Sequence, residues 1–565
     1  MTASEAWRER DRQVLWHPFT QSQGWGDEDF PVIVAAEGVH LVDADGRRYL
    51  DGVSSLWCNV HGHRVPAIDA AVRAQLDRAA HTTMLGLTHP PAVELAERLL
   101  RLAPPGLARV FYSDSGSEAM EIALKIAYQF WQQVAVPGPG SRVLRPESSL
   151  PGPGIAMTGL GSPGTATAFH AVLERAGEDA LAGAVAALDD VTLAFALAGC
   201  PATLAGKVFR QVPGERSLDV RRRLGRHGGS EAQVDAARCA FLDRLAGAAP
   251  ALKTPRARRT REPRRKQAFL TFGEAYHGDT IGSVSLGGID LFHAVYGPLL
   301  FRTVRAPSPA APGALDAVER LFERHHVELA AAVVEPLIQG AAGMLVHPDG
   351  FLRRLRALCD AHDVFLICDE VATGFGRTGT MFACAQEGVT PDLMAVAKGL
   401  TGGYLPLAAT LATEEIHRAF LGSHADQKTF FHGHTYTGNP LACAAALASL
   451  DVFERERVIE GLAPKIAAFA EGLAPLASHP HVREVRRRGL MAGVELVKEK
   501  AAGMPYDVAE RRGHRVTLEA RAHGAVLRPL GDVVVLMPPL AMSVDDLRRL
   551  TGIARAAIDA ATRGK

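Results

Sequence analysis

The segment VFLICDEVATGFGRTGTMFACAQEGVTPDLMAVAKG, residues 364–399, contains the pattern that decides the fold. Residues 364–368 form a continuous apolar run that stops at Asp369, and residues 393–397 form a second run that stops at Lys398. Apolar runs of this length predict strands buried on both faces, as in a mostly parallel sheet that is covered by helices. The separation of Asp369 and Lys398 fits one intervening βα unit.

The same alternation extends to both sides of this segment. We predict further strands at 39–42, 108–112, 268–272 and 329–334, and helices at 92–102, 119–131 and 351–361. This order is typical of an α/β fold, in which ligands bind beyond the carboxyl ends of the strands. Asp369 and Lys398 both fall at such ends.

Composition excludes several classes of protein. The chain has 565 residues, 47% of them apolar, and its 62 Lys and Arg balance 62 Asp and Glu. This balance argues against a nucleic-acid partner and against a disordered polyelectrolyte. No apolar run reaches the roughly 18–20 residues that span a bilayer, so we expect no membrane span. The seven cysteines are scattered without a C-x-x-C pair, so we expect no bound metal and a reducing, cytoplasmic location.

Lys398 has an unusual setting for a lysine. Apolar residues precede it, glycines follow it, and the nearest charged residues along the chain are Asp392 and Glu414. The common alternative is a lysine that extends its amine to solvent from a strand edge. A desolvated amine has a lowered pKa, which keeps part of it neutral and nucleophilic. We therefore predict a lysine that adds to a carbonyl group.

Asp369 is the second candidate. A carboxylate at the end of an apolar strand is costly unless a cation or a strong donor meets it. One interpretation is a cap on the following turn, a role that Glu370 could equally take. The other is a carboxylate that faces a pyridinium nitrogen and keeps it protonated, so that the ring accepts electrons.

Two further segments complete a possible cofactor site. Residues 113–118, SDSGSE, join a strand to a helix, and a helix start binds phosphate well, although a simple capped helix is commoner. Tyr276 follows another strand and could stack on a flat ring or pack in the core. We expect its neighbour His277 to be a structural histidine, the alternative being a catalytic one. Together these features describe a pyridoxal 5′-phosphate (PLP) site.

The motifs resemble those of the class III, fold-type I aminotransferases. ICDEVATGFGRTG (367–379) and AVAKGLTGGYLPLAA (395–409) look like the signature of that family. Other segments resemble the members that convert 8-amino-7-oxononanoate to 7,8-diaminononanoate in biotin synthesis: WHPFTQ (16–21), DGVSSLWCNVHGH (51–63), YSDSGSEAMEIALK (112–125), YHGDTIGSVSLG (276–287), FFHGHTYTGNPLACA (430–444) and LRPLGDVVVLMPPL (527–540).

The resemblance implies a role for each matching residue. Lys398 would be the catalytic lysine that bonds PLP and shuttles the proton, and Asp369 would pair with the ring nitrogen. The other cofactor contacts would be Gly116, Ser117 and Tyr276, with His434 and Thr435 reaching in from the partner subunit of a homodimer. The substrate contacts would be Phe19, Trp57, Tyr276, Lys398, Gly433 and Arg528, of which Arg528 would take the distal carboxylate.

The sequence also departs from the family. Phe19 stands where many relatives have Tyr, and Leu56-Trp57 replaces a Trp-Trp pair. The resemblance implies S-adenosylmethionine as the amino donor, but some relatives use lysine, and these departures leave both open. Two alternative functions also stay open: a class III enzyme that acts on an ω-amino acid, and a non-catalytic scaffold.

The resemblance divides the chain into domains. Residues 86–132 and 266–412 would form the large PLP-binding domain, and residues 1–85 and 413–565 would form a smaller α+β domain from both termini. Residues 133–265 would be an insertion, flexible or partly helical, with helical spacing at Phe169, Val172 and Leu173 and at Val234, Ala237, Phe241 and Leu245. Its basic end, residues 253–266, is interpreted as a solvated linker, the alternative being an arm that binds a polyanion or a partner.

Overall fold

The computed structural model describes residues 2–25, 28–134 and 266–563, together with short stretches between residues 173 and 241. The chain divides into two compact units. The first consists of residues 1–139 and 261–565, and the second of residues 140–260. None of the described helices is long and apolar enough to cross a membrane.

Strands and helices alternate along most of the first unit. In chain order the strands are β1 (Ile33–Glu37), β2 (His40–Asp43), β3 (Arg48–Asp51), β4 (Leu107–Ser113), β5 (Ala268–Phe272), β6 (Val304–Ala306), β7 (Leu329–Val334), β8 (Ile338–Gln339), β9 (Leu345–Val346), β10 (Phe365–Asp369), β11 (Leu393–Val396), β12 (Ala408–Thr413), β13 (Val482–Arg488), β14 (Met491–Leu496), β15 (Ala525–Val526), β16 (Arg528–Leu530) and β17 (Val533–Leu536). The main helices are Ala3–Val14, Pro66–Leu76, Pro90–Leu102, Gly116–Val134, Ile281–Leu286, Ala314–His325, Phe351–Ala361, Glu414–Ala419, Pro440–Arg455, Leu462–Leu473, Arg512–Ala522 and Val544–Thr562.

A seven-stranded sheet, in the order β4-β12-β11-β10-β7-β5-β6, forms the centre of this unit. Strand β12 is antiparallel to both of its neighbours, and the other pairs are parallel. The prediction of an α/β fold with a mostly parallel sheet is therefore confirmed. The carboxyl ends of β4, β5, β7, β10 and β11 consequently lie along one edge of the sheet.

The two faces of the central sheet bury alternate residues of each strand. Phe365 and Ile367 of β10 pack in a core shared with helix Gly116–Val134, whereas Leu366 and Cys368 pack in the core on the other face. Because both faces are covered, β7, β10 and β11 have no exposed residue. This explains why their sequences are apolar without a break.

Segments from both ends of the chain form two smaller sheets. Their orders are β1-β2-β3-β15 and β13-β14-β17-β16. The parallel pairing of β15 with β3 joins the C-terminal part of the chain to the N-terminal part. The smaller α+β portion built from both termini is thus present.

Residues 54–57 form a left-handed turn. Ser54, Ser55, Leu56 and Trp57 all have positive φ, between 47° and 73°. Such angles are uncommon for residues other than glycine and persist only where the surroundings hold them. Here the Asp51 carboxylate accepts hydrogen bonds from the backbone N–H and the hydroxyl of Ser55, and the Ser54 hydroxyl donates to the Met537 carbonyl. The turn places Trp57 in the interior, 7% exposed.

Arg377 ties this turn to the rest of the unit. Its side chain is fully buried and donates hydrogen bonds to the carbonyls of Pro538 (2.7 Å), Asn59 (2.9 Å) and Trp57 (3.3 Å). Burial lowers the pKa of Arg377 to about 10. Main-chain oxygens therefore stabilise this buried cation.

The described part of the second unit is helical. Helices Glu178–Ala186, Asp190–Leu197 and Ala202–Phe209 bury apolar side chains in a core of their own. Leu173, Ala237 and Phe241 belong to this core. Phe169, Val172, Leu245 and residues 253–265 lie outside the described residues, so the interpretations of those positions stay predictions.

Replacing Arg377 with Met is expected to destabilise the protein. The change leaves three buried carbonyls without their donor, and the cost of such orphaned groups is about 2–5 kcal/mol in total. The measurement is urea-induced unfolding of the purified protein. Arg73→Met, at an arginine whose side chain is 74% exposed, is the control and should stay within about 0.5 kcal/mol of the parent. Equal unfolding midpoints for the two variants would contradict the bridging role of Arg377.

Candidate active site

A cavity of about 400 Å³ lies at the edge of the central sheet where the parallel strands end. Each of the five aligned strands contributes lining residues just beyond or at its carboxyl end. The polar and aromatic residues among them include Asp114, Ser115 and Ser117 after β4, Tyr276 and His277 after β5, Glu335 after β7, Asp369 of β10 and Lys398 after β11. The sheet thus brings together residues that lie far apart in the sequence.

Lys398 lies two residues after β11, at the first position of a tight 3₁₀ turn that ends at Thr401. Its φ is 45°, an unusual value that directs the chain away from the strand. The amine lies 5.5 Å from the centre of the Trp57 ring. Burial lowers the pKa of Lys398, and the negative charges of Asp369 and Glu335 offset only part of that effect. The expectation of a sheltered amine is met.

Asp369 is 5% exposed, and its partners are now defined. One carboxylate oxygen accepts a hydrogen bond from Nδ1 of His277 at 2.7 Å, and the other accepts from the backbone N–H of Val371 at 3.0 Å. Burial alone would lower the pKa of His277, but the hydrogen bond to Asp369 and the charges of Asp369 and Glu335 raise it above its ordinary value. His277 therefore orients the carboxylate and supports its negative charge.

Glu335 is a buried carboxyl group beside this pair. Its two oxygens accept hydrogen bonds from the backbone N–H groups of Gly340 (3.0 Å) and Tyr276 (3.3 Å). Burial raises the pKa of Glu335 to about 7, helped by the charge of Asp369 and opposed by that of His277. Glu335 thus fixes the backbone of the Tyr276-His277 segment through its hydrogen bond with the N–H of Tyr276.

Glu370 has a structural role that distinguishes it from Asp369. Its carboxylate accepts hydrogen bonds from the Thr373 hydroxyl and from the N–H groups of Ala383 and Cys384, at 2.6–3.0 Å. Burial raises the pKa of Glu370, and these donors counteract the rise. Of the two acidic neighbours, Glu370 holds the loop and Asp369 lines the cavity.

The start of helix Gly116–Val134 faces the cavity with free donors. The Glu118 carboxylate accepts the N–H groups of Asp114 and Ser115, whereas those of Gly116 and Ser117 have no partner among the described residues. The Ser117 hydroxyl accepts the N–H of Asp279 at 3.1 Å. A Cβ at Gly278, where φ is +116°, would come within 2.1 Å of that hydroxyl oxygen, so only glycine allows this approach.

Two aromatic side chains form walls of the cavity, Tyr276 and Trp57. The Tyr276 hydroxyl donates to Asp279 at 2.8 Å, which fixes the ring beside the His277–Asp369 pair. Trp57 comes from the left-handed turn and lies near the amine of Lys398. The structure therefore places two of the three predicted aromatic residues, Tyr276 and Trp57, at the cavity.

Other predicted residues lie outside the cavity in this single chain. Phe19 is 60% exposed and packs edge-on against Phe292, which in turn contacts Tyr276. Gly433 and Thr435 are exposed. Arg528 is half-buried and makes no hydrogen bond or ion pair with any described residue, while burial lowers its pKa and the nearby Tyr276 opposes that shift.

His434 lies beside Asp114 of its own chain. Its Nδ1 is 3.3 Å from Asp114 and its Nε2 is 3.9 Å from Glu118. Among the described residues these three form one group with atoms close enough to ligate a metal, within 4.8 Å of one another. Both acidic side chains lie within 4.0 Å of the imidazole, so contacts with His434 account for the grouping.

The cavity has the donor set that PLP requires. Asp369 supplies a buried anion for the ring nitrogen, the free N–H groups of Gly116 and Ser117 suit a phosphate, and Tyr276 forms a flat wall. Within 4.0 Å Lys398 makes no ion pair with Asp369 among the described groups, so both stay available to a ligand between them. These residues fit the cofactor.

Sequence reasoning missed three contributors to this site: Glu335, Arg377 and the contact of His277 with Asp369. His277 was predicted to be a structural histidine, and the structure adds that its hydrogen-bond partner is Asp369. The signals were weak, because a Glu-Pro step after an apolar strand and a histidine after a tyrosine are both ordinary. A charge at the end of each predicted parallel strand was the available clue for Glu335.

Comparisons with known proteins agree with this geometry. The family model of class-III aminotransferases matches residues 23–144 and 244–558. An adenosylmethionine-8-amino-7-oxononanoate aminotransferase from Nitratidesulfovibrio vulgaris is 48% identical, over 98% of this chain and 82% of that protein. The crystal structure of the enzyme of that name from Methanocaldococcus jannaschii is 34% identical, with a TM-score of 0.74, covering 98% of this chain and 99% of that one. An (S)-enantioselective omega-transaminase from Thermomicrobium roseum is 27% identical, with a TM-score of 0.72 and 99% of both chains covered.

Replacing Glu335 with Gln should flatten the pH dependence of stability. Because the folded-state pKa of about 7 exceeds the ordinary value of 4.5, the folded protein holds an extra proton between these values. Stability therefore falls as the pH rises through this window, by on the order of 3 kcal/mol for this group. The melting temperature is measured at pH 5 and at pH 7.5. Its drop between these two pH values should be smaller in the variant than in the parent. Glu456→Gln, at an exposed carboxylate, is the control, and an unchanged slope in Glu335→Gln would refute the assignment.

Proposed function

Because the chain belongs to the class-III aminotransferase family, we propose that it transfers an amino group to the 7-oxo carbon of 8-amino-7-oxononanoate, which yields 7,8-diaminononanoate for biotin synthesis. It is a PLP-dependent enzyme. The observation that carries the proposal is the presence of Lys398, Asp369 and the free helix start of Gly116 and Ser117 in one cavity. The near full-length similarity to relatives named for this reaction supports the choice of acceptor.

PLP, when bound, supplies a carbonyl carbon that accepts an amino group and a ring that withdraws electrons from it. Lys398 is the residue that would bond the cofactor. Because burial lowers its pKa, Lys398 loses its proton more readily than an exposed lysine does. The neutral nitrogen would take a proton from the nitrogen-bearing carbon of the amino donor and would deliver it to the carbon of the cofactor that receives the nitrogen. The same side chain thus serves as nucleophile and as general base.

Asp369 and His277 act as one unit in this proposal. The carboxylate would hold the proton on the ring nitrogen of PLP, and the imidazole keeps the carboxylate oriented and charged through the 2.7 Å hydrogen bond. Gly116 and Ser117 would bind the phosphate through their N–H groups and the Ser117 hydroxyl. Tyr276 would lie against the ring.

The acceptor is a chain with a carboxylate at its far end. Arg528 is suited to that end because its guanidinium has no partner among the described residues and can bind a carboxylate through two hydrogen bonds. Trp57, Phe19 and Gly433 would bound the aliphatic chain. We propose S-adenosylmethionine as the donor, the one printed in the names of the relatives, with lysine as the alternative.

A second candidate acts on an ω-amino acid or a simple amine instead. The similarity to the omega-transaminase from Thermomicrobium roseum favours it, since that protein has the same fold over 99% of both chains. The two candidates share the cofactor chemistry and differ in the acceptor, so substrate turnover separates them.

We also propose that the enzyme is a homodimer in the cytoplasm. Gly433 and Thr435 are exposed beside Phe431, which is 81% exposed, and pairing with a second copy would cover this apolar surface and let the segment reach the partner's phosphate site. The scattered cysteines support the reducing location. Residues 133–265 are proposed to be an insertion that the reaction does not need, since every described residue that lines the cavity lies outside it.

The decisive experiment offers the purified holoenzyme 8-amino-7-oxononanoate with S-adenosylmethionine, with lysine, or with an ω-amino acid, and detects the diamine by mass spectrometry. Diamine is expected with S-adenosylmethionine. Lys398→Ala should lose turnover and the visible absorbance of the lysine-bound cofactor, and Lys465→Ala, at a lysine outside the cavity, should keep both. If no donor yields the diamine, but the enzyme transfers the amino group of the ω-amino acid to a 2-oxo acid, the second candidate replaces the proposal.

Arg528→Met is expected to raise the KM for the oxo acid by roughly 30-fold, because a charge-assisted contact worth about 2 kcal/mol is lost. The kcat should change far less, since Arg528 would bind the end of the acceptor that does not react. Steady-state kinetics with the oxo acid measure both constants. Arg515→Met, at an exposed arginine of the helix Arg512–Ala522, serves as the control. A reduced kcat with an unchanged KM would disprove a role in binding the carboxylate.

A further inference from the structure

A second cavity, about 530 Å³ in volume, lies near the N terminus. We call it the N-terminal cavity. It is lined by Trp7, Arg10, Asp11, Val14, Leu15, His17, Trp25, Phe30, Pro31, Val32, Ile33, Leu41, Arg521 and Val526, none of which lines the cofactor cavity. Its volume lies within the range of small-molecule sites, roughly 300–1,000 Å³.

The walls of the N-terminal cavity are mostly apolar and aromatic. Trp25 stacks on Phe30, with ring centres 4.2 Å apart and planes 14° from parallel. His17 packs on Trp25 at 4.8 Å, and Trp7 is 48% exposed. Walls of this kind are built from rigid side chains, so they can accept an apolar body at little cost in side-chain entropy.

Arg521 introduces a positive charge without a partner. Its Nε and Nη1 atoms are buried, and no described residue makes a hydrogen bond or ion pair with its guanidinium. The nearby Glu28 instead accepts hydrogen bonds from His514 (2.8 Å) and Arg511 (3.2 Å). Burial lowers the pKa of Arg521, and Glu28 and Tyr49 offset only part of the shift. A desolvated cation in this state favours an anionic ligand.

The other charged residues of the cavity do not cancel that preference. Among the described lining residues Asp11 is the one acidic residue, and its carboxylate already accepts hydrogen bonds from His17 (2.9 Å) and Trp25 (3.4 Å). Arg10 lies over the Trp7 ring at 4.4 Å and adds a second cation. The lining therefore presents more positive than negative charge around an apolar interior.

We propose that the N-terminal cavity is a binding site for a small carboxylate with an apolar body, such as a medium-chain fatty acid, whose carboxylate pairs with Arg521. The apolar body would lie between Trp25, Phe30 and Val526. This site is separate from the cofactor cavity and independent of the reaction proposed above.

The test uses octanoate as the probe and octanamide as its neutral match, with binding to the purified holoenzyme measured by calorimetry. The measurement is made in the Arg528→Met background, so that the carboxylate-binding residue proposed for the acceptor cannot account for the signal. Octanoate is expected to bind, and octanamide to bind at least tenfold more weakly. Arg521→Met should weaken octanoate binding at least tenfold while the kcat and KM of the otherwise wild-type enzyme stay unchanged.

A second variant keeps the test decisive if Arg521→Met does not fold. Leu41→Trp keeps the arginine but fills the cavity from strand β2, and it should also abolish octanoate binding. The proposal is overturned if octanoate does not bind. A second copy of the chain that occupies the cavity would give this same result and would overturn the proposal too. It is also overturned if octanamide binds as well as octanoate, or if Leu41→Trp binds octanoate as tightly as the parent.

Discussion

The parallel pairing of β10 with β11 is the constraint on which the active site depends. The pairing places Asp369 directly opposite Ala395, three residues before Lys398, at the carboxyl edge of a sheet covered on both faces. An acid and an amine are thereby brought to one cavity in surroundings where a charge without a partner is costly. His277, which follows strand β5, makes a hydrogen bond with Asp369. The lowered pKa of Lys398 is a consequence of the same cost of burying a charge.

Buried charges around the cavity are satisfied mainly by backbone groups. Glu370 takes two backbone N–H groups, Glu335 takes two more, and Arg377 gives hydrogen bonds to three carbonyls. Such contacts fix the path of the main chain, because a loop that moved would leave an unpaired charge inside the protein. Loops built in this way hold the aromatic walls, including the strained turn that carries Trp57.

Two arginines differ from this pattern, and they flank the short strand β15. Neither Arg521 nor Arg528 has a hydrogen-bond or ion-pair partner in the part of the chain that the structure describes, and burial lowers the pKa of both. Buried charged groups of this kind are candidates for contact with a ligand that supplies the missing partner. Arg528 belongs to the proposed acceptor site, and Arg521 lines the N-terminal cavity.

The sequence by itself determined the central sheet and the two principal residues of the site. The strands 268–272 and 329–334 and the helix 351–361 were predicted to the residue, because continuous apolar runs and helical spacing are local signals. Lys398 and Asp369 were recognisable since each places a charge at the end of such a run. Only the tertiary structure decided what surrounds them: His277 lies 92 residues from Asp369, and Arg377 lies 161 residues from Pro538. Periodicity reports which face of an element is buried, but contacts between distant segments depend on how the elements pack, so those partners became visible only in the folded chain.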